Sequence, residues 1–204
     1  MSQSPTGGRI DLRPARFVAS LLICATPMIP GVEVAAQAAF SVSDVMSYSF
    51  ASGVVASPEG NRIAWIENRE GERNIWVAAG PQWRGRALTA YRGDDGQELT
   101  GLTFTPDGEQ VMYIRGGAPN REGEVPDPLY TPDEEERGVW IVDWEGTDPA
   151  QVVDGGGFSL SPDGERIAYA RGRDIFVLPL SQEAESERVA RIRGSAGSMT
   201  WSPG

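Results

Sequence analysis

Histidine and lysine are absent from this sequence of 204 residues, so arginine supplies all 18 basic side chains. Without histidine, these residues cannot form a Ser-His-Asp or Cys-His relay or offer an imidazole to a metal ion. Acidic residues number 29 and give a net charge of -11. That charge argues against nucleic acid as a partner, because a phosphate backbone requires a basic surface. We therefore expect no catalytic, metal-binding or cofactor-binding residues, and no cofactor.

Cysteine is nearly absent as well, and the one cysteine lies in a segment typical of an export signal. Arg9, Arg13 and Arg16 precede a mostly apolar run over residues 17–30, and Ala36-Gln-Ala38 follows. This order predicts a signal peptide over residues 1–38, cleaved after Ala38, and a periplasmic or secreted protein. Cleavage would remove Cys24, and with it any disulfide support.

A membrane anchor is the alternative interpretation of that run. Pro27, Pro30 and Glu33 interrupt it, leaving fewer than the roughly 20 apolar residues that a membrane-spanning helix needs. We therefore expect no membrane association after cleavage.

An internal repeat organises the rest of the chain. Four segments align on a Ser/Thr-Pro step, with prolines at positions 58, 106, 162 and 203 and intervals of 48, 56 and 41 residues. In Thr105-Pro-Asp-Gly108 and Ser161-Pro-Asp-Gly164, the fixed φ of proline suits the second position of a type I turn. Glycine occupies the fourth position, where a positive φ is common. Each copy therefore predicts a β-hairpin, whose second arm alternates apolar and polar residues.

Two further β-rich runs follow each hairpin. The third runs are 74–78, 138–142 and 174–178, and the weaker fourth runs are 86–89, 150–153 and 188–191. Four antiparallel strands per repeat are typical of a propeller blade, which buries its faces only against its neighbours. The sequence thus predicts an all-β partial β-propeller over residues 54–204. Its three blades cover about 54–90, 101–153 and 158–191, and the first strand of a fourth begins at 199.

Two segments fall outside the repeat. Residues 39–53 form a lead-in, in which Ser43–Phe50 begins with good cap residues and predicts one short helical turn. Residues 116–137 contain four prolines and a Glu134–Glu136 run, and they predict a long surface loop.

Several side chains are candidates for reactive or binding groups. Ser57, Ser161 and Ser202 recur at the first turn position, which favours a structural role over nucleophilic catalysis. Asp107 and Asp163 are interpreted as turn residues rather than calcium ligands. Better candidates for binding a cation or a substrate amine are Asp94-Asp95 and the acidic run 133–136, although solvated acidic loops explain both.

The chain over residues 40–204 resembles the N-terminal propeller of the prolyl oligopeptidase family of serine peptidases. The resemblance rests on the repeated turns and on the segment from Asp94 through Tyr113-Ile-Arg-Gly-Gly117. It implies a secreted or periplasmic peptidase in which the propeller restricts access of peptide substrates. A C-terminal α/β-hydrolase domain, absent from these residues, would supply Ser, Asp and His. A glutamate pair holds the substrate amino terminus in some members, but the Glu134–Glu136 run cannot be aligned with it.

A non-enzymatic periplasmic propeller that binds protein partners, as TolB-like proteins do, is the second hypothesis. Such a protein would place a separate α/β domain before its blades. Here the first hairpin begins within about 20 residues of the predicted cleavage site, which favours the peptidase.

Export gives the first testable prediction. We expect the mature protein to begin at Ala39, as read by N-terminal sequencing of the exported chain. An Ala38→Arg substitution should abolish this processing, because the peptidase pocket takes a small residue there. An Ala35→Arg substitution outside the A-x-A site is the control. An exported chain that retains Arg9 would contradict the prediction.

Overall fold

The computed structural model describes residues 41–118, 120, 137–146, 148–181, 184–194, 196 and 198–202. The predicted signal peptide, the Glu134–Glu136 run, and the final Pro203 and Gly204 lie outside these ranges. The described chain contains one helix, α1, and twelve strands. They are α1 Val42–Met46, β1 Phe50–Ala56, β2 Arg62–Arg69, β3 Glu72–Ala79, β4 Arg86–Ala87, β5 Leu99–Phe104, β6 Gln110–Arg115, β7 Gly138–Asp143, β8 Ala150–Asp154, β9 Phe158–Leu160, β10 Arg166–Arg171, β11 Asp174–Pro179 and β12 Glu187–Arg191.

The strands form three antiparallel sheets, each built from four consecutive strands in chain order. Sheet 1 contains β1–β4, sheet 2 contains β5–β8 and sheet 3 contains β9–β12. The runs predicted as third and fourth strands supply β3, β4, β7, β8, β11 and β12. The prediction of an all-β fold made of four-stranded antiparallel units is therefore confirmed.

The helix begins one residue before the predicted segment. Ser41 caps it: the Asp44 amide donates to Ser41 Oγ at 3.0 Å, and the Ser41 amide donates to Asp44 Oδ2 at 2.9 Å. This reciprocal pair satisfies two amides that a helix start leaves unpaired. Ser43 therefore lies inside the helix rather than at its cap.

Three strands differ from the predicted runs. β1 begins at Phe50, inside the predicted lead-in, and β5 begins at Leu99. β4 ends at Ala87, because Leu88 N and Thr89 N both donate to the same Ile75 carbonyl, and Ile75 N donates to the Thr89 hydroxyl at 2.9 Å. Residues 199–202, predicted as the first strand of a fourth unit, pair with no strand among the described residues.

The two faces of each sheet carry different apolar sets. We call the face toward the following sheet the forward face and the opposite one the rear face. The forward faces are Ala64, Ile66, Ile75 and Val77 in sheet 1, Met112, Ile114, Val139 and Ile141 in sheet 2, and Ala168, Ala170, Ile175 and Val177 in sheet 3. The rear faces are Ile63, Trp65, Trp76 and Ala78, then Val111, Tyr113, Trp140 and Val142, then Ile167, Tyr169, Phe176 and Leu178.

Two apolar cores lie between successive sheets. The first joins the forward face of sheet 1 to the rear face of sheet 2, and the second joins sheets 2 and 3 in the same way. Val111, Met112 and Tyr113 are consecutive and all 0% exposed. Alternation along β6 thus places neighbouring side chains in two different cores.

The proline turns of successive sheets also lie side by side. A Cβ built on Gly108 would lie 3.6 Å from Ser57 Cβ, and one on Gly164 would lie 2.8 Å from Pro106 Cδ. Arg62 spans the first boundary, because its Nη1 donates to Gly108 O at 2.6 Å and to Glu109 Oε1 at 3.0 Å. The turns form a row along one end of the stacked sheets.

A bulge that contains a glycine interrupts the first strand of sheet 1 and of sheet 2. Pairing shifts register between Ser52 and Val55, and between Thr100 and Thr103. Gly101 has a φ of 64°, and a Cβ there would lie 3.0 Å from Ile114 Cδ1. Only glycine satisfies both this angle and this spacing.

Gly101→Ala tests this double constraint, with Gly93→Ala as its matched control. Gly93 has a similar φ of 73°, but a Cβ built on it would meet no atom within 4 Å. Both substitutions carry the left-handed backbone cost of about 1 kcal/mol. Gly101→Ala should lower the free energy of unfolding, measured in urea, by roughly 1–2 kcal/mol more than Gly93→Ala does, because the added Cβ crowds Ile114. Equal losses would show that the bulge tolerates a side chain.

Candidate functional site

A polar cavity of about 270 Å³ opens on sheet 1 at the end opposite the proline turns. It lies between the ends of β2 and β3 and the segment that follows β4. Ten residues line it: Glu67, Arg69, Glu72, Asn74, Trp76, Ala87, Thr89, Ala90, Tyr91 and Arg92. Carboxylates, guanidinium groups and an aromatic ring are thus gathered at one surface.

Asn74 holds the segment after β4 in place. Its Nδ2 donates to Tyr91 O at 2.9 Å, while its Oδ1 accepts from Tyr91 N at 2.8 Å and from Thr89 Oγ1 at 2.9 Å. Asn74 is 8% exposed, and its amide binds the segment just beyond the last backbone bonds, which Leu88 N and Thr89 N make to Ile75 O. The wall of the cavity is therefore fixed by a buried, fully used hydrogen-bonding group.

Glu67 is held as a carboxylate on the adjacent wall. Trp65 Nε1 donates to Glu67 Oε2 at 2.9 Å, and Arg69 Nη2 lies 3.3 Å from Glu67 Oε1. The hydrogen bond from Trp65, with smaller contributions from Ser49 and Arg69, lowers the pKa of Glu67 despite its partial burial. The Arg69 guanidinium also lies 4.9 Å above the Trp76 ring, within cation–π range.

Tyr91 connects the cavity to a polar cluster between sheets 1 and 2. Its hydroxyl lies 2.6 Å from the Tyr113 hydroxyl, and Arg115 lies 4.6 Å above its ring. Arg115 Nη2 in turn donates to Asp95 Oδ2 at 2.8 Å. Burial, followed by the neighbouring Tyr91, raises the pKa of Tyr113 well above its ordinary value. Tyr113 therefore stays neutral and acts as a hydrogen-bonding group.

The Asp94-Asp95 pair joins an exposed carboxylate to a partly buried one: the side chain of Asp94 is 59% exposed and that of Asp95 is 19% exposed. Asp94 Oδ1 lies 3.3 Å from Arg73 Nη1 and accepts from Gly96 N at 3.1 Å. Asp95 accepts from Arg115 and, through Oδ1, from Gln97 N at 2.9 Å. Both carboxylates thus connect the segment before β5 to arginines of sheets 1 and 2. The other acidic candidate, residues 133–136, lies outside the described residues.

The turn serines are engaged within their own turns. Ser57 and Ser161 are 4% and 1% exposed. Arg166 N donates to Ser161 Oγ at 2.9 Å, and the Ser161 hydroxyl donates to Asp163 Oδ1. These bonds are the ones a turn residue makes, and neither serine is among the residues that line the cavity on sheet 1. Ser202 lies in the described chain, but the turn it would begin does not.

The turn aspartates behave in the same way. Asp107 Oδ1 accepts from Thr105 Oγ1 at 2.6 Å and from Glu109 N at 3.0 Å. The Thr105 hydroxyl, followed by the Glu109 amide, lowers the pKa of Asp107, and the Ser161 hydroxyl and Glu165 amide do so for Asp163. Within the described ranges, no group of three or more His, Cys, Asp or Glu side chains could hold a metal ion.

Glu67 was not among the residues predicted from the sequence, and of the cluster around Arg115 only Asp95 was predicted as a binding candidate. The signal for Glu67 was its position two residues after Trp65, which places both side chains on one face of a strand. No local signal predicts the contact between Tyr91 and Tyr113, because it joins two sheets. The arrangement can bind charged and aromatic groups of a ligand, and the residues that line the cavity include no serine, cysteine or histidine.

No helix of the described chain is long and apolar enough to cross a membrane. No family model matches the sequence, and no curated protein matches it significantly. Three examples illustrate the solved structures that are similar in architecture. An acylaminoacyl peptidase of Pyrococcus horikoshii has a TM-score of 0.46 and 17% identity over 70% of this chain and 25% of its own. A TolB protein of Agrobacterium tumefaciens has a TM-score of 0.44 and 17% identity over 69% and 48%.

The third is the hydrazine synthase of Kuenenia stuttgartiensis, with a TM-score of 0.43 and 18% identity over 62% of this chain and 39% of its own. The chain thus spans less than half the length of each of these structures. TM-scores and sequence identities this low carry no argument about function.

The ion pair of Arg115 should contribute more to stability than a similar pair nearby. The Arg115 and Asp95 side chains are 11% and 19% exposed, whereas those of Arg73 and Asp94 are 26% and 59% exposed. Arg115→Met should lower the free energy of unfolding by roughly 2–3 kcal/mol, because it leaves Asp95 without its cation. The control Arg73→Met should cost under about 1 kcal/mol. Urea unfolding measures both, and equal effects would contradict the assignment.

Proposed function

We propose that this chain is the propeller portion of a secreted serine peptidase, in which it restricts the access of peptides to a hydrolase domain outside these residues. The observation that carries the proposal is that sheet 2 packs through both of its faces, against sheet 1 and against sheet 3. Stacked units of this kind form a continuous wall, which suits a role in limiting access. The absence of histidine from the whole sequence supports the same conclusion, because a serine nucleophile here would lack its base.

The polar cluster at the sheet 1 to sheet 2 boundary also supports the proposal. Three of its four residues, Asp95, Tyr113 and Arg115, fall in the segment 94–117, on which the resemblance to the peptidase family rests most strongly. Asp95 and Arg115 lie at opposite ends of this segment and bind each other at 2.8 Å. The segment therefore acts as a brace that fixes two units relative to each other, as a wall that excludes large substrates requires.

The test uses the native protein from its source cells. A serine-reactive fluorophosphonate probe should label an exported polypeptide that also yields the arginine-bounded peptide 174–188 by mass spectrometry. A peptide chloromethyl ketone added first should block the label, and heat-denatured protein should not react. An exported species that yields the peptide but takes no label would overturn the proposal and favour a partner-binding propeller.

A further inference from the structure

Arg69 is bound in the polar cavity on sheet 1 as a cationic ligand would be. Its guanidinium lies 4.9 Å above the Trp76 ring, and its Nη2 lies 3.3 Å from Glu67 Oε1. An aromatic face and a carboxylate are two groups that bind a guanidinium strongly in proteins. The chain therefore shows the binding chemistry of this cavity with one of its own side chains.

Arg69 is held there only weakly. Its side chain is 57% exposed, and it forms the last pair of β2 and β3 with Glu72, next to the turn at residues 70–71. Its two hydrogen bonds to Glu67 Oε1 measure 3.3 and 3.4 Å, longer than the roughly 2.7–2.9 Å of strong charge-assisted bonds. Exposed ion pairs contribute only about 0–1 kcal/mol, so a competing cation can displace this side chain.

Glu67, in contrast, is fixed in position. Its side chain is 12% exposed, and its Oε2 accepts from Trp65 Nε1 at 2.9 Å. This bond does not involve Arg69, so the carboxylate keeps its place when Arg69 turns toward solvent. The anionic group of the cavity is thus preorganised, which lowers the cost of binding a second cation.

The position of Glu67 is occupied by arginine in the other two sheets. Arg115 and Arg171 lie at the same position of the second strand in sheets 2 and 3, two residues after the aromatic side chain of the rear face. Sheet 1 therefore has a carboxylate where its repeats have a guanidinium. Among the described residues, Arg69 brings a guanidinium back to this position.

The fourth strand leaves space beside the Trp76 ring. Ala87 is the partner of Trp76 across β3 and β4, whereas the same position holds Gln151 in sheet 2 and Arg188 in sheet 3. Ala90 is a second small residue in the cavity wall. The cavity volume of about 270 Å³ lies just below the roughly 300–1,000 Å³ of typical ligand sites. It suits a single side chain better than a large ligand.

The charges that line the cavity balance only while Arg69 lies in it. Glu67 and Glu72 supply two carboxylates, and Arg69 and Arg92 supply two guanidinium groups. When Arg69 turns away, the cavity lacks one positive charge, which a cationic ligand restores. The net charge of -11 on the whole chain also attracts cations from solution.

We propose that this cavity binds the guanidinium group of a ligand, such as an arginine side chain of a peptide, which replaces Arg69 between Trp76 and Glu67. A planar guanidinium can stack on the indole and donate to the carboxylate at the same time, whereas an ammonium cannot. The inference concerns sheet 1 alone and is independent of the proposed peptidase function.

Calorimetric titration of the full chain with N-acetyl-arginine amide tests this site, because the probe carries a guanidinium and no other charge. Arg69→Ser should bind the probe at least about tenfold more tightly than the wild-type chain, since the competing side chain is removed. Arg171→Ser is the matched control. The Arg171 side chain is 54% exposed and lies 3.3 Å from Asp154, and its loss should leave the affinity unchanged.

Two comparisons in the Arg69→Ser background test the chemistry. Glu67→Gln should lower the affinity at least about tenfold, because a neutral amide does not pair with a guanidinium although it still accepts from Trp65. N-acetyl-lysine amide and the neutral N-acetyl-citrulline amide should each bind at least about tenfold more weakly than the arginine probe. Circular dichroism confirms that each variant is folded.

Four results would contradict the inference. Arg69→Ser could bind the arginine probe no more tightly than the wild-type chain, or Glu67→Gln could leave the affinity unchanged. Equal affinity for the lysine probe would indicate a general cation site. Equal affinity for the citrulline probe would show that the charge of the ligand is not recognised.

Discussion

The packing of each sheet through both faces is the constraint on which the rest of the structure depends. In β6, Met112 and Tyr113 are adjacent and both 0% exposed, although they point toward different sheets. A four-stranded sheet with two apolar faces is stable only between neighbours. Sheet 2 therefore exists as a folded element because sheets 1 and 3 cover it, and the spacing of the sheets determines which turns and side chains meet.

Arginine joins the sheets at their edges, in a chain that has no lysine. Arg62 donates to the Gly108 carbonyl, pairs with Glu109 and stacks on Trp144, and Arg86 donates to the Trp144 carbonyl. A planar guanidinium can stack and donate at the same time, whereas a lysine ammonium cannot. Arg115 has the same double role at the opposite end, between Asp95 and the Tyr91 ring. The boundary between sheets 1 and 2 is thus bound at both ends by guanidinium groups.

These two ends of the stack have different characters. The proline turns use their serine, threonine and aspartate side chains internally, so that end is a repeated structural device. The other end gathers Glu67, Arg69 and Trp76 around a cavity and braces it through Asn74. Carboxylate, guanidinium and aromatic side chains gathered in this way can bind charged and aromatic groups of a ligand.

The sequence by itself determined the hairpins, the alternation of faces and the lack of a serine–histidine relay, because each depends on residue type or on neighbours along the chain. Tertiary structure alone decided that β1 starts at Phe50, that β4 ends at Ala87, and that Asp95 binds Arg115. The side chain of Asn74 binds the backbone of Tyr91 where strand pairing has ended, and Asp95 binds Arg115, which lies 20 residues further along the chain. Such contacts leave no periodic signal in the sequence, since they arise only when packed sheets bring distant polar groups together away from water.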